Sequence, residues 1–304
     1  MKIEGVTDGY RSIIINLKEN LKYIFIKGAT FSMTALTVEG FYFTFFNPDE
    51  DEISKKSRLF VTFIVVLGAY LGAILWILFI RKKKIIYIRK MSKIVVEYAS
   101  LLEMLKQYER EKRQGIFIIP VNRCFDTVVN DVLIEKTTIH GQIIEYLKET
   151  YTEQKLEQVI QSALEAKKIN NLVQLEREEK KNGNLKRYPV GTIVEIITAN
   201  ENVLYLAAFT EFQNENEKIV ARSNLYEYSE FLQSVIDYSF SDGRNLPIYM
   251  PAVGCGNSRL GIEVEDSIQK IVTMWKMNSG KLRNDVHIVI PKEKFAFVQL
   301  DKFH

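Results

Sequence analysis

The stretch Pro251, Ala252, Val253, Gly254, Cys255, Gly256, Asn257, Ser258, Arg259, Leu260, Gly261 decides how the rest of the chain is read. A short apolar run, Leu246 to Met250, precedes it and reads as a buried strand, while Ile262 to Met277 after it has helical spacing and no breaker. Strand, glycine turn and helix therefore follow in order. Gly254 and Gly256 allow positive φ and close approach of a ligand, and the first amides of the helix carry partial positive charge. Such a turn suits a phosphate group, although most glycine turns between a strand and a helix are only connections.

Working upstream, Ile116 to Val121 is a continuous apolar run, the mark of a strand covered on both faces. Ile139 to Leu147 and Glu153 to Lys167 read as helices, and the charged stretch from Glu176 to Asn184 reads as a solvated loop or helix end. Strands are expected at Thr192 to Ile197 and Val203 to Thr210, a long helix at about Ala221 to Tyr238, and a closing strand at Val286 to Ile290. Helices alternating with buried strands imply an α/β sheet flanked by helices, with ligands beyond the strand ends. The region from Ile85 to Gln114 admits two readings. Ile88, Met91, Val95, Tyr98, Leu102 and Leu105 step like a coiled-coil seam; alternatively, Lys93 to Tyr98 is a strand and Leu101 to Lys112 a helix.

The N-terminal quarter differs from the rest. Residues 23–46 are apolar over about the length of a bilayer crossing, interrupted by Lys27 and Glu39. Glu39 lies either near the far interface or against a partner helix or wet path. An acidic hairpin follows at Asp49 to Glu52, and then Leu59 to Ile80 without a charge, holding Gly68 and Gly72 at the spacing of packed membrane helices. Arg81 to Lys84 close this second span, and Lys18, Lys22 and Lys27 flank the first. Two transmembrane helices at 23–46 and 59–80 are expected, in a membrane domain of residues 1–84 with both termini cytoplasmic at the cell inner membrane. Residues 85–304 form the expected cytosolic domain.

Composition excludes several classes. A net charge of +3 over 304 residues gives no argument for a nucleic-acid partner. Cys124 and Cys255 make no disulfide framework, only three histidines are available to activate a thiol, and no His or Cys pair has metal-ligand spacing. Neither a metal nor a cofactor is expected.

The order Asn122, Arg123, Cys124, Phe125, Asp126, Thr127, then Thr138, Ile139, His140, Gly141, then Tyr188 to Thr192, then Gly254 to Leu260 resembles the macro domain, specifically the sensor branch of type II Thoeris antiphage systems. Two membrane helices ahead of a macro domain are similar to that branch as well. The resemblance implies a mixed sheet flanked by helices that binds ADP-ribose relatives, with histidine-ADP-ribose from a companion TIR-domain enzyme as the signal. It places Asn122 at the distal ribose, Phe125, Asp126 and Thr127 around the same pocket, and Gly254, Cys255, Gly256, Asn257, Ser258, Arg259 and Leu260 along the diphosphate. Arg259 would meet a phosphate or an acidic neighbour; His140 and Gly141 would turn amides to the ligand, or His140 would bond backbone. Phe125 would stack on the ligand or simply pack.

Two departures stand out. Where the family carries an adenine-reading aspartate this chain has Ala99 and Ser100, leaving Glu97 or Glu103 as substitutes. Where hydrolytic macro domains carry a second asparagine and a glycine run, it has Phe125 and no such run. The resemblance thus implies a non-enzymatic, lipid-associated effector that binds its nucleotide, forms a homo-oligomer and disrupts the membrane; a membrane-tethered ADP-ribosyl hydrolase is the alternative.

Overall fold

The computed structural model describes residues 21–46, 52–75, 83–131, 133–215, 218–255, 260–291, 300 and 303. The chain divides into two compact units, Met1–Lys82 with Glu293–Lys302, and Lys83–Lys292 with Phe303–His304.

In the first unit two helices pair, α1 (Leu21–Phe46) and α2 (Glu52–Leu75). The hydroxyl-rich α1 stays helical because Thr30, Ser32, Thr34 and Thr37 each donate to the carbonyl four residues back, at 2.8–3.0 Å. The helices approach closely where Gly28 faces Tyr70, since a Cβ on Gly28 would lie 2.4 Å from the Tyr70 ring. Glu39 meets a partner helix: its Oε1 accepts from Thr62 Oγ1 at 2.8 Å, and its Oε2 is buried without a partner among the described residues. Among the described residues nothing lies within 4 Å of a Cβ built at Gly68 or Gly72, so neither glycine is used in the contact with α1. Among the described residues no helix is long and apolar enough to cross a membrane. The two expected transmembrane helices are therefore not found there. Hydroxyls and Glu39 interrupt α1, α2 starts in the charged run Glu52 to Arg58, and residues 76–80 of the expected second span lie outside the described residues.

The second unit is a mixed sheet of strands β1 (Lys83–Arg89), β2 (Ser92–Tyr98), β3 (Ile116–Asn122), β6 (Ile193–Ile197), β7 (Val203–Glu215), β8 (Lys218–Arg222), β9 (Ile248–Pro251) and β10 (Val286–Ile290). Its order is β1-β2-β10-β9-β3-β7-β6, with β8 on β7. The strands from β2 to β7 are parallel, while β1, β6 and β8 pair antiparallel. A small hairpin, β4 (Val173–Gln174) with β5 (Lys186–Arg187), stands apart.

The strand-plus-helix reading of Ile85 to Gln114 is the one observed. After β2 the chain turns at Ala99, Ser100 accepts from the Glu103 amide at 3.3 Å, and α3 (Leu101–Glu111) begins. That cap, a strand's two-residue alternation and the left-handed Lys112 at φ 51° leave no continuous seam for a coiled coil. Lys83 and Lys84 do not simply close a membrane span; they are the first residues of edge strand β1, opposite Glu97 and Val96.

Helices α3, α4 (Ile139–Lys148) and α5 (Glu153–Ala166) cover one face, where Leu105, Ile144 and Leu156 pack with Phe117, Ile119 and Val121 of β3. The opposite pleat of β7 carries Phe209, which meets Phe231 of α6 (Leu225–Ser241) with ring centroids 4.8 Å apart. Helix α7 (Val264–Met277) buries Ile268, Ile271 and Trp275 beside α6. Coverage of both faces explains why Ile116 to Ile119 are fully buried, as a continuous apolar run requires. Helix α6 starts later than its periodicity suggests, because Ala221 and Arg222 belong to β8 and Asn224 with Glu227 forms a capping box.

Candidate functional site

The parallel strands β3 and β9 end on the same edge of the sheet, each in a tight loop. At the end of β3, Asn122 is 3 % exposed. Its Oδ1 accepts from the amides of Cys124 at 3.0 Å and Asp126 at 3.4 Å, while its Nδ2 is buried with no partner among the described residues. An unpaired buried donor costs about 1–3 kcal/mol, so it marks a place where an acceptor belongs.

Phe125 follows at φ 52°, and its ring is buried edge-on against Tyr188 at 5.6 Å. The structure thus places Phe125 in the core. Asp126 is buried too: its Oδ2 accepts from Lys180 Nζ at 2.6 Å and its Oδ1 from the Asn184 amide at 2.6 Å. Burial pushes the Asp126 carboxyl up, against the opposing pull of the Lys180 ammonium. Thr127 donates to Glu157 Oε2 at 2.8 Å. These side chains are occupied by protein partners.

His140 and Gly141 sit in the first turn of α4. Thr138 caps that helix by accepting from the Gly141 amide at 3.0 Å, and a Cβ on Gly141 would lie 2.2 Å from the Glu135 carbonyl oxygen. The Gly141 amide is therefore committed within the fold. The His140 ring hydrogen-bonds the Asp126 main-chain carbonyl, and burial pushes its pKa down to about 4, which leaves it neutral near pH 7.

At the end of β9, the Ala252 amide donates to the Val289 carbonyl at 3.2 Å, and Ser267 Oγ of α7 donates to the Val253 carbonyl at 2.5 Å. Tyr228 of α6 reaches Ser267 at 3.2 Å; burial pushes its pKa up to about 12. Gly254 takes φ +95° with Leu260, Ile262 and Tyr228 around it. Cys255 Sγ donates to the Ala252 carbonyl at 3.1 Å. Gly256, Asn257, Ser258 and Arg259 lie outside the described residues. Helix α7 begins at Val264, not Ile262, and holds Glu265 and Asp266 in its first turn, so carboxylates already face its positive end.

The two carboxylates expected in place of the family's aspartate differ: one is paired and the other exposed. Glu97 Oε1 pairs with His287 Nδ1 at 2.5 Å, and the His287 ring stacks on Tyr249 at 4.6 Å. Ser100 is used as the α3 cap, and Glu103 is exposed.

Sequence reasoning missed Lys180, Asn184 and Glu157. The stretch 176–184 reads as solvated, yet Lys180 is only 4 % exposed. Asn184 Nδ2 reaches the carbonyls of Cys124 at 3.2 Å and Phe125 at 3.4 Å, and Glu157 Oε1 at 2.8 Å. The one local signal is Gly183, which takes φ +79° and whose Cβ would stand 2.2 Å from Asp126 Oδ1. Among the described residues no cluster of His, Cys, Asp or Glu is arranged to hold a metal ion.

A mixed sheet with helices on both faces, a buried asparagine ending one parallel strand and a left-handed glycine turn ending another define a macro-type domain. The family model described as "Thoeris protein ThsA, Macro domain" matches residues 94–291, and the chain belongs to that family. It is similar to the curated Thoeris protein ThsA of Bacillus amyloliquefaciens (strain Y2), 26% identical over 204 residues that cover 63% of this chain and 63% of the relative. The chain thus spans under two thirds of that relative's length. A solved structure titled as a protein of unknown function from Bacteroides thetaiotaomicron covers 66% of this chain and 99% of its own at 10% identity, with a TM-score of 0.36. That likeness is too loose to inform the site.

Proposed function

We propose that this chain is the effector of a type II Thoeris antiphage system, whose macro domain binds an ADP-ribose-type signal, histidine-ADP-ribose made by a partner TIR-domain enzyme. The observation that carries this reading is Asn122 Nδ2, a buried donor with no partner among the described residues, at the end of a parallel strand. A ribose hydroxyl would satisfy it. Gly254 takes a left-handed φ at the end of β9, and in this reading the diphosphate lies along the loop that follows it.

The domain acts as a sensor and does not turn its ligand over. Phe125 stands where hydrolytic relatives carry an asparagine, and its side chain is packed against Tyr188. The output is self-association of the α1–α2 hairpin at the cell inner membrane, with both termini cytoplasmic, followed by membrane disruption. Phe25, Met33, Phe41, Phe60, Phe63 and Leu71 leave large apolar surface exposed on that hairpin, and the uncharged run of the second helix continues in sequence to Ile80. A ligand drives such a change only through its differential affinity for the assembled state.

Calorimetric titration of the full chain with ADP-ribose and with histidine-ADP-ribose, with product analysis of the same mixture, tests the proposal. Binding of the conjugate without breakdown is expected, accompanied by larger assemblies in lipid nanodiscs. Breakdown of the conjugate would make the chain an enzyme, and absence of binding to either nucleotide would remove the sensor reading.

A further inference from the structure

The buried donor of Asn122 is aimed by a part of the chain about 60 residues away. The amides of Cys124 and Asp126 both point at the Asn122 carboxamide and need an acceptor, so its oxygen faces them and its Nδ2 is turned outward from the loop. The conformation of that loop is fixed in turn by segment 180–184. Lys180 Nζ bonds Asp126 Oδ2 and the Asn184 carbonyl at 2.6 Å each, the Asn184 amide bonds Asp126 Oδ1, and the Asn184 side chain holds the Cys124 and Phe125 carbonyls. Glu157 of α5 braces both sides, accepting from Asn184 Nδ2 and from Thr127 Oγ1.

A buried ion pair adds little net stability compared with an apolar pair of the same volume. What Lys180 and Asp126 supply is geometry, since each of these bonds ends on residues 124–127 or on the segment that grips them. A donor held in place before the ligand arrives avoids the ordering cost that a mobile one incurs on binding.

We propose that Lys180 and Asn184 are positioning residues: segment 180–184 is a strap that locks the loop 123–127 so that Asn122 Nδ2 is pre-set as the ribose donor. This inference rests on the reading of Asn122 as the ligand contact. The strap touches loop backbone and the Asp126 and Glu157 side chains, so its influence on binding runs through Asn122.

The test is a double-mutant cycle on the full chain with ADP-ribose as the probe. Lys180→Met risks the fold, so Asn184→Ala, which leaves the ion pair and the main-chain bonds in place, is the working variant. Asn184→Ala is expected to weaken ADP-ribose binding about tenfold in the wild-type background and not at all in an Asn122→Ala background. Equal weakening in both backgrounds, or none in the wild type, would overturn the proposal. Hydrogen exchange of the Cys124 and Asp126 amides, read without nucleotide, separates this from the functional reading. Exchange accelerated about tenfold by Asn184→Ala supports the strap even if ADP-ribose fails to bind, in which case the sensor assignment falls instead. Unchanged exchange overturns the strap whatever the nucleotide does.

Discussion

The two strand ends that make the site are built in opposite ways. After β9 the chain turns on a glycine: Gly254 at φ +95° sets the path, and the fixed bonds of Ala252 and Val253 go to the neighbouring strand and helix. After β3 no glycine is present, and the left-handed step falls on Phe125, held by its buried ring and by side chains from α4, α5 and segment 180–184. One end is shaped by local backbone freedom and the other by distant side chains. The first can be recognised in a sequence; the second becomes visible only when the chain is folded.

That contrast can be broken most sharply at Lys180. Lys180→Met leaves the Asp126 carboxylate buried without its partner and is expected to destabilise the domain by about 3–5 kcal/mol in urea denaturation, with Asp126→Asn in the same chain recovering much of the loss. A loss under about 1 kcal/mol would mean that the β3 end does not depend on the pair.

His140 gives the next effect. Its folded pKa, about 4, lies below the ordinary 6.5, so the unfolded chain takes up the proton first as pH falls. The stability that neutral His140 contributes is whole above pH 6.5 and is lost as pH drops toward 4, on the order of 3 kcal/mol in all. Asp126, raised by burial, titrates with the opposite sign in acid, so the measurement is the difference between wild type and His140→Asn across that range. Parallel curves would show that His140 is not held neutral.

At the β9 end the effects are smaller. Gly254→Ala forces a side chain into φ +95° with its Cβ 3.0 Å from Ile262 and Leu260, an expected cost of about 1–2 kcal/mol by thermal denaturation. A neutral result would show that the turn relaxes freely. Smallest is Thr138→Ala, which removes the α4 cap and is expected to cost about 1 kcal/mol while leaving the β9 turn unaffected.

Much of the fold was legible in the sequence for the same local reason. Ile116 to Asn122 and Val286 to Ile290 announce themselves as apolar runs bounded by polar turns, and α4, α5 and α7 by apolar periodicity. Strands β1 and β8 were not legible. Lys83 and Lys84 read as the end of a membrane span, whereas β1 is an edge strand whose partner β2 supplies its pairing. Strand β8 is short and begins in the polar stretch after Glu215, so only its register on β7 reveals it. Within the site, Gly254 stood out by type and place, and Asn122 only through the resemblance to macro domains. Lys180 did not, because a lysine among charged neighbours carries no sign of the aspartate 54 residues earlier that it will bury against.

A crystal structure of the protein with ADP-ribose bound decides whether the two strand ends form one ligand site. A ribose hydroxyl is expected within about 3.2 Å of Asn122 Nδ2, with the diphosphate along the turn that starts at Gly254. A nucleotide seated elsewhere, with Asn122 Nδ2 still unpaired, would contradict it.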